Sequence, residues 1–143
     1  MIVDNLPAWV APNLITLWGF AWNMSCLVFT YALYGNETQG YFEPWLAVYV
    51  SVAFFIYTTA DNCDGKQARK NETGSVMGMM FDHGLDAASA IVMTLVMLRM
   101  AQVGGGITAL VGMQVSLIPQ YYTFLEEYYI GKMVFPMFTG PED

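Results

Sequence analysis

Charged residues are scarce in this sequence, and basic residues are the scarcest of them. Lys and Arg together number five among 143 residues, against twelve Asp and Glu, and charged residues make up only 12% of the chain. With so few cations the chain has no broad basic surface for a phosphate backbone, so no nucleic-acid partner is expected. Hydrophobic residues reach 56%, which is typical of an integral membrane protein rather than of a soluble domain.

Cysteine is also rare, and a removable leader is not evident. Cys26 and Cys63 fall inside long apolar segments, and two isolated thiols make neither a disulfide framework nor a zinc site, so we expect both to pack in the core. The N-terminus lacks a basic region followed by a small-residue cleavage site. The first apolar segment, rather than a signal peptide, is therefore expected to direct membrane insertion.

Long stretches of the chain carry no charge at all. These stretches lie between Asp4 and Glu37, Glu43 and Asp61, Asp86 and Arg99, and Arg99 and Glu126. A membrane-spanning helix needs about 20 mostly apolar residues, so the sequence predicts an all-α integral membrane protein with about four spans. We expect one domain over residues 1–143, with spans at about 12–34, 45–70, 77–101 and 107–129.

Four aspartates stand out against this apolar background, in two pairs that each adjoin a predicted span. Asp61 and Asp64 are three residues apart, and Asp82 and Asp86 are four apart, so each pair lies on one face of a helix. Two helices that meet on these faces would bring four carboxylates together. Carboxylate oxygens are the ligands that hard divalent cations prefer, and the sequence therefore predicts a metal site.

The energetic cost of these acids supports the same interpretation. An ionised aspartate at membrane depth costs about 2.5–3.5 kcal/mol on insertion scales, and four uncompensated ones would cost roughly 10–14 kcal/mol, comparable to the stability of a whole domain. The alternative is a structural ion network with Lys66 and Arg69. Four acids against two or three bases leave an excess of negative charge, which bound cations would neutralise.

The acidic stretch also carries a resemblance to a known family. Its spacing is D-x2-D-G-x2-A-R-x8-G-x3-D-x3-D, and the fixed positions are filled by Asp61, Asp64, Gly65, Ala68, Arg69, Gly78, Asp82 and Asp86. This pattern resembles the signature of the CDP-alcohol phosphotransferases, integral membrane enzymes of phospholipid synthesis. The flanking segments APNLITLWGF (11–20), DNCDGKQARK (61–70), FDHGLD (81–86) and EEYYIGK (126–132) are similar to the eukaryotic choline/ethanolamine branch of that family.

The resemblance implies a reaction and a set of roles. Phosphocholine or phosphoethanolamine would pass from CDP-choline or CDP-ethanolamine to diacylglycerol, and CMP would be released. Mg²⁺ or Mn²⁺ would be held by Asp61, Asp64, Asp82 and Asp86.

The nucleotide would contact the other residues of the motif. Gly65, Ala68 and Gly78 lack bulky side chains and would let it approach the helix backbones, although the same residue types also allow close helix packing. Arg69, and less directly Lys66, would contact phosphates. Asn13 is either a contact to the donor or a helix cap, and the sequence leaves both open.

Two residues compete for the role of general base. The resemblance points to Asp86. The single histidine, His83, lies between two motif aspartates, and imidazole exchanges protons near neutral pH. We therefore expect His83 to assist Asp86 or to replace it.

Charge asymmetry predicts the orientation. Lys66, Arg69 and Lys70 cluster after the second span, which places the 66–76 loop and the active site on the cytosolic side. The endoplasmic reticulum or the Golgi is implied by the resemblance alone, as is a homodimer.

The chain is much shorter than the family it resembles, so a truncated polypeptide with weak or no activity is expected. Three alternatives stay open. They are another acceptor such as inositol or glycerol phosphate, an intramembrane prenyltransferase, and a truncated non-catalytic membrane paralogue that binds nucleotide or an intact partner enzyme.

Overall fold

The computed structural model describes residues 6–7, 9–37 and 39–130. These residues form four α-helices: α1 (Pro12–Tyr34), α2 (Pro44–Lys70), α3 (Val76–Met100) and α4 (Ile107–Ile130). No strand occurs within those ranges. The all-α fold class is confirmed, and each predicted segment lies within one residue of a helix at both ends.

Local signals explain where the helices begin. α1 and α2 each start with a proline, Pro12 and Pro44, and a first helical turn tolerates proline because its N–H would be unpaired there anyway. α3 instead starts after Ser75, whose Oγ accepts a hydrogen bond from the Gly78 N–H at 3.0 Å. That cap satisfies one of the free backbone donors at the helix start.

Three of the helices, α1, α2 and α3, are long and apolar enough to cross a membrane, judged by length and composition. At a rise of about 1.5 Å per residue each exceeds the roughly 30 Å hydrocarbon core. Large apolar side chains also face outward, with Phe55 71% and Val48 65% exposed, as lipid contact requires. α4 is not among the qualifying helices, since Gln114, Gln120 and Glu126 interrupt its apolar run.

The core lies where α1 packs against α2 and α3. Its buried members are Cys26, Leu46, Val50, Ala53, Met93 and Val96. Both cysteines are buried free thiols, as the sequence predicts. Helices α1 and α2 approach closely at Gly19, where an added β-carbon would lie only 2.9 Å from Ala60 Cβ. Small residues at such contacts let helix backbones approach in membrane proteins.

The helix directions bring the functional residues to one end of the bundle. α1 and α2 are antiparallel, since Ser25 pairs with Tyr49 and Thr16 with Asp64. α3 runs parallel to α1, since Gly78 lies near Asn13 at one end and Arg99 near Tyr34 at the other. The start of α1, the end of α2 and the start of α3 therefore meet at one end.

The opposite end of the bundle is closed by Arg99. Its guanidinium lies 4.4 Å from the centre of the Tyr34 ring and donates to the carbonyls of Gly40 and Tyr41 at 3.2 and 3.3 Å. The side chain is only 6% exposed. The last turn of α3 is thereby fastened to the α1–α2 connection.

Candidate active site

Three of the four motif aspartates converge at the site end of the bundle. Carboxylate oxygens of Asp61, Asp64 and Asp82 all lie within 4.8 Å of one another. Asp61 and Asp64 come from the last third of α2 and Asp82 from the second turn of α3. Asp64 is only 4% exposed. The spacing argument therefore gives the right helix faces for these three acids.

Asp86 lies beside this group and has a different partner. It interacts electrostatically with Asp61 and Asp64. Its Oδ1 also accepts a hydrogen bond from the Tyr57 hydroxyl of α2. Asp86 is thus near the acids, with one oxygen held by a phenol.

The Asp64 carboxylate is fixed through both of its oxygens. Oδ2 accepts a hydrogen bond from Thr16 Oγ1 of α1 at 2.6 Å, and Oδ1 accepts one from the Gly65 N–H. The Thr16 side chain is itself buried, at 3% exposure. Hydrogen bonds of this kind hold ligating carboxylates in orientation, so α1 contributes to the acid cluster without contributing an acid.

A cavity of about 600 Å³ opens next to the acids. Its lining includes seven of the residues singled out in the sequence: Asn13, Asp64, Gly65, Ala68, Gly78, Asp82 and His83. The volume falls within the range of small-molecule sites. Asp61, Asp86, Lys66 and Arg69 are not in the lining.

Small residues do border the cavity closely. A β-carbon on Gly78 would lie 3.5 Å from Asn13 Oδ1 and 3.2 Å from Ser75 Oγ, so this position has little room for a side chain. At Gly65 the nearest atom would be Nη1 of Arg69, at 4.0 Å. The Arg69 guanidinium therefore lies beside the cavity wall at Gly65, while Lys66 lies on the exposed side of α2.

His83 lines the cavity and also contacts the fourth helix. Its ring stacks on Phe124 of α4, with the ring centres 4.6 Å apart and the planes inclined by 15°. The imidazole lines the cavity next to Asp82. Of the two candidate bases, His83 is therefore the one that borders the space where a substrate would bind.

Comparison with known proteins identifies the family of the chain. The family model of the CDP-alcohol phosphatidyltransferases matches residues 9–132. The chain belongs to this family. Both halves of the acidic motif, and the three helices that carry the site, lie within the matched range.

Individual relatives differ in their named reactions. An uncharacterized CDP-alcohol phosphatidyltransferase class-I family protein 2 from Dictyostelium discoideum is 37% identical over 99% of this chain and 34% of its own length. Choline/ethanolaminephosphotransferase 1 of Arabidopsis thaliana is 30% identical over 99% of this chain and 36% of its own. CDP-diacylglycerol–serine O-phosphatidyltransferase of Encephalitozoon cuniculi is also 30% identical, over 99% of this chain and 36% of its own length. The chain spans about a third of the length of these curated relatives.

The acid cluster of this CDP-alcohol phosphatidyltransferase family member fits a divalent metal. Hard divalent cations such as Mg²⁺ and Ca²⁺ bind oxygen ligands at about 2.0–2.6 Å, so two ligand oxygens of one ion lie at most about 5 Å apart. The oxygens of the three carboxylates lie within 4.8 Å of one another and satisfy this limit. An all-oxygen donor set favours Mg²⁺ or Mn²⁺ over softer metals.

Sequence reasoning missed several residues that shape this site. Thr16, Tyr57 and Phe124 each touch a motif side chain from another helix. Thr16 has a weak signal, because it lies three residues after Asn13 and so shares its helix face. Tyr57 and Phe124 have none, since nothing in their local sequence separates them from other membrane aromatics.

Proposed function

We propose that this chain forms the catalytic site of a choline- or ethanolaminephosphotransferase. It would transfer phosphocholine or phosphoethanolamine from CDP-choline or CDP-ethanolamine to diacylglycerol and release CMP. The observation that carries the proposal is the convergence of three aspartates, two of which, Asp64 and Asp82, line a cavity of about 600 Å³. The flanking APNLITL and DHGLD segments favour the aminoalcohol branch.

Asp61, Asp64 and Asp82 would hold Mg²⁺ or Mn²⁺, with Asp86 completing the acidic set. When bound, the metal would supply positive charge for the pyrophosphate and for the departing CMP oxygen. Thr16 keeps Asp64 oriented toward that position. Arg69, beside Gly65, would reach the phosphates with a planar donor group, and Asn13 and Gly78 would border the nucleotide.

The transfer itself needs one proton to be removed. The acceptor hydroxyl oxygen forms a bond to the phosphorus of the phosphocholine, the bond from that phosphorus to the CMP oxygen breaks, and the hydroxyl proton goes to a base. His83 is the proposed base, because it borders the cavity and Phe124 fixes its ring plane. Asp86, with one oxygen held by the Tyr57 hydroxyl, is the competing candidate for the base.

The same proposal includes an orientation and a place in the cell. The exposed cations at the end of α2 favour a cytosolic location for the site, and the branch favours the endoplasmic reticulum or the Golgi. A homodimer is part of the same hypothesis.

The test is product formation from labelled CDP-choline and CDP-ethanolamine. Detergent-purified protein would be supplied with diacylglycerol and Mg²⁺ or Mn²⁺, and Asp82→Asn would serve as the blank. We expect a small amount of labelled phospholipid above the blank, since the chain spans only about a third of its relatives' length, and an equal amount of CMP. Metal binding by the wild-type chain without any product would contradict the proposed activity.

A second reaction has a specific observation in its favour. The Encephalitozoon cuniculi relative named for serine is as similar as the Arabidopsis thaliana relative named for choline and ethanolamine. The same acid cluster would then bind CDP-diacylglycerol and transfer a phosphatidyl group to a small alcohol. A parallel assay with CDP-diacylglycerol and serine, inositol or glycerol phosphate separates the two reactions.

A further inference from the structure

An exposed tryptophan stands at the rim of the candidate active site. Trp9 precedes α1, is 82% exposed and contributes to the wall of the cavity. Tryptophan before a membrane helix commonly lies at the level of the lipid headgroups. This location requires no particular backbone conformation of the residues around it. The carbonyls of Pro7 and Val10, on either side of Trp9, are nevertheless both hydrogen-bonded to α2.

Gln67 of α2 provides that restraint. Its side chain is fully buried, and its Nε2 donates to the carbonyl oxygens of Pro7 at 3.0 Å and Val10 at 3.4 Å. Trp9 lies between these two acceptors. The Val10 N–H also donates to the Pro7 carbonyl at 3.1 Å, which closes a turn, so one buried amide fastens both ends of the turn that presents Trp9.

A second side chain of α2 also binds the backbone before α1. Lys70 Nζ, one turn after Gln67, donates to the Leu6 carbonyl at 2.9 Å. Leu6, Pro7 and Val10 are thereby hydrogen-bonded to the end of α2, the helix that also carries Asp61 and Asp64. The backbone on both sides of Trp9 is thus held to the helix that carries the acids, which anchoring of the indole in a membrane alone would not require.

The shape of a nucleotide donor indicates which of its groups would lie beside the Trp9 indole. Its pyrophosphate would lie at the acids, near Asp64 and Asp82, and its nucleoside would take the remaining space. That space is bordered by Trp9 and by Asn71 and Thr73 of the α2–α3 connection. A planar base beside an exposed indole stacks on it, since aromatic faces hold bases without requiring a particular hydrogen-bond pattern.

We propose that Trp9 is the stacking surface for the nucleobase of the donor and that Gln67 is its positioning residue. The inference rests on the proposed function, because it assumes a nucleotide donor in this cavity. It adds a binding contact outside the acidic motif. It also gives the buried amide of Gln67, which does not line the cavity, a role in substrate binding.

The experiment compares two probes, CMP and inorganic pyrophosphate, bound in the presence of Mn²⁺ to purified protein. Both carry phosphate, and only CMP carries a base. Trp9→Ala should weaken CMP binding by about tenfold, the size of one base–aromatic stack, and leave pyrophosphate binding unchanged. Trp9→Phe keeps an aromatic face and should retain most of the CMP affinity.

Trp45 gives the matched control. It is also an exposed tryptophan, at 52%, but it lies in the first turn of α2 at the opposite end of the bundle. Trp45→Ala should leave the binding of both probes unchanged. Equal losses in the Trp9 and Trp45 variants would assign both residues to membrane anchoring and overturn the proposal.

The positioning role is tested on α2. Gln67→Met preserves length and removes the donor, and should weaken CMP binding while pyrophosphate binding persists. Asn62→Ala is the control, since Asn62 donates to the Thr58 carbonyl on its own helix. Unchanged CMP binding in Trp9→Ala, or equal losses of CMP and pyrophosphate, would overturn the inference alone. A wild-type chain that binds neither probe would overturn the proposed function as well.

Discussion

Thr16 Oγ1 of α1 donates a 2.6 Å hydrogen bond to Asp64 Oδ2 of α2, inside the membrane bundle. Both side chains are more than nine-tenths buried. A buried carboxylate gains orientation from such a donor and loses it when the donor is removed. The orientation of the acidic face of α2 therefore depends on a helix that carries no acid of its own in the cluster.

Thr16→Val should weaken metal binding without removing any ligand. The substitution preserves shape and deletes the hydroxyl, and loss of an outer hydrogen bond to a ligand typically lowers metal affinity by about 10–100-fold. Mn²⁺ titration followed by electron paramagnetic resonance measures the change. Thr16→Ser keeps the hydroxyl and should bind nearly as the wild type does. Equal Mn²⁺ affinity in Thr16→Val and wild type would contradict the role given to this bond.

Asp61→Asn and Asp82→Asn should each abolish high-affinity Mn²⁺ binding, because each removes one of three converging carboxylates. Activity should fall with it, and chelation of the wild-type protein should reproduce the loss until Mg²⁺ or Mn²⁺ is restored. Glu37→Gln provides the comparison, since this exposed acid lies in the connection at the other end of the bundle. Full metal binding in either Asn variant would exclude the acid cluster as the metal site.

His83→Gln should lower kcat by about a hundredfold or more, the usual contribution of a general base, while Mn²⁺ binding stays close to normal. Phe124→Leu should give a smaller loss of kcat because it frees the ring plane of His83 without removing the imidazole. Asp86→Asn separates the candidates. Loss of activity in that variant with near-normal His83→Gln would assign the base to Asp86.

Gly19→Ala should destabilise the bundle. The added β-carbon would lie 2.9 Å from Ala60 Cβ, so α1 and α2 must separate, and overpacking of this kind costs about 1–3 kcal/mol. Thermal unfolding in detergent should show a lower midpoint, and adding Ala60→Gly should recover part of it. Gly84→Ala, where a β-carbon meets nothing within 4 Å, should leave the midpoint unchanged or raise it.

The helices and the acid cluster could be predicted from local patterns. Charge-free runs and the prolines at 12 and 44 set the helix bounds, and the spacing of Asp61, Asp64 and Asp82 set their faces. Helix bounds and helix faces can both be predicted because each depends only on the order of residues within one helix. The sequence also predicts the fourth helix, which is not among the three helices with membrane-spanning length and composition.

Contacts between helices were not predictable in this way. The bonds from Thr16 to Asp64 and from Tyr57 to Asp86 join residues 48 and 29 positions apart, and the stack of His83 on Phe124 depends on how α4 crosses α3. Gln67 occupies a variable position of the acidic motif, and its partners lie 57 and 60 residues earlier. Such pairs follow from packing, which a single sequence does not encode in any local period.

Arg99 has a consequence for the lipids around the folded bundle. Its charge is enclosed by Tyr34, Phe42 and two carbonyls, so that end presents no exposed cation among the residues that the structure describes. Lys66, Arg69 and Lys70 are all exposed at the other end. Anionic headgroups are attracted by about 1 kcal/mol per surface cation. We therefore expect anionic lipids to be enriched in only one leaflet beside this protein, the leaflet that borders the acids and the cavity.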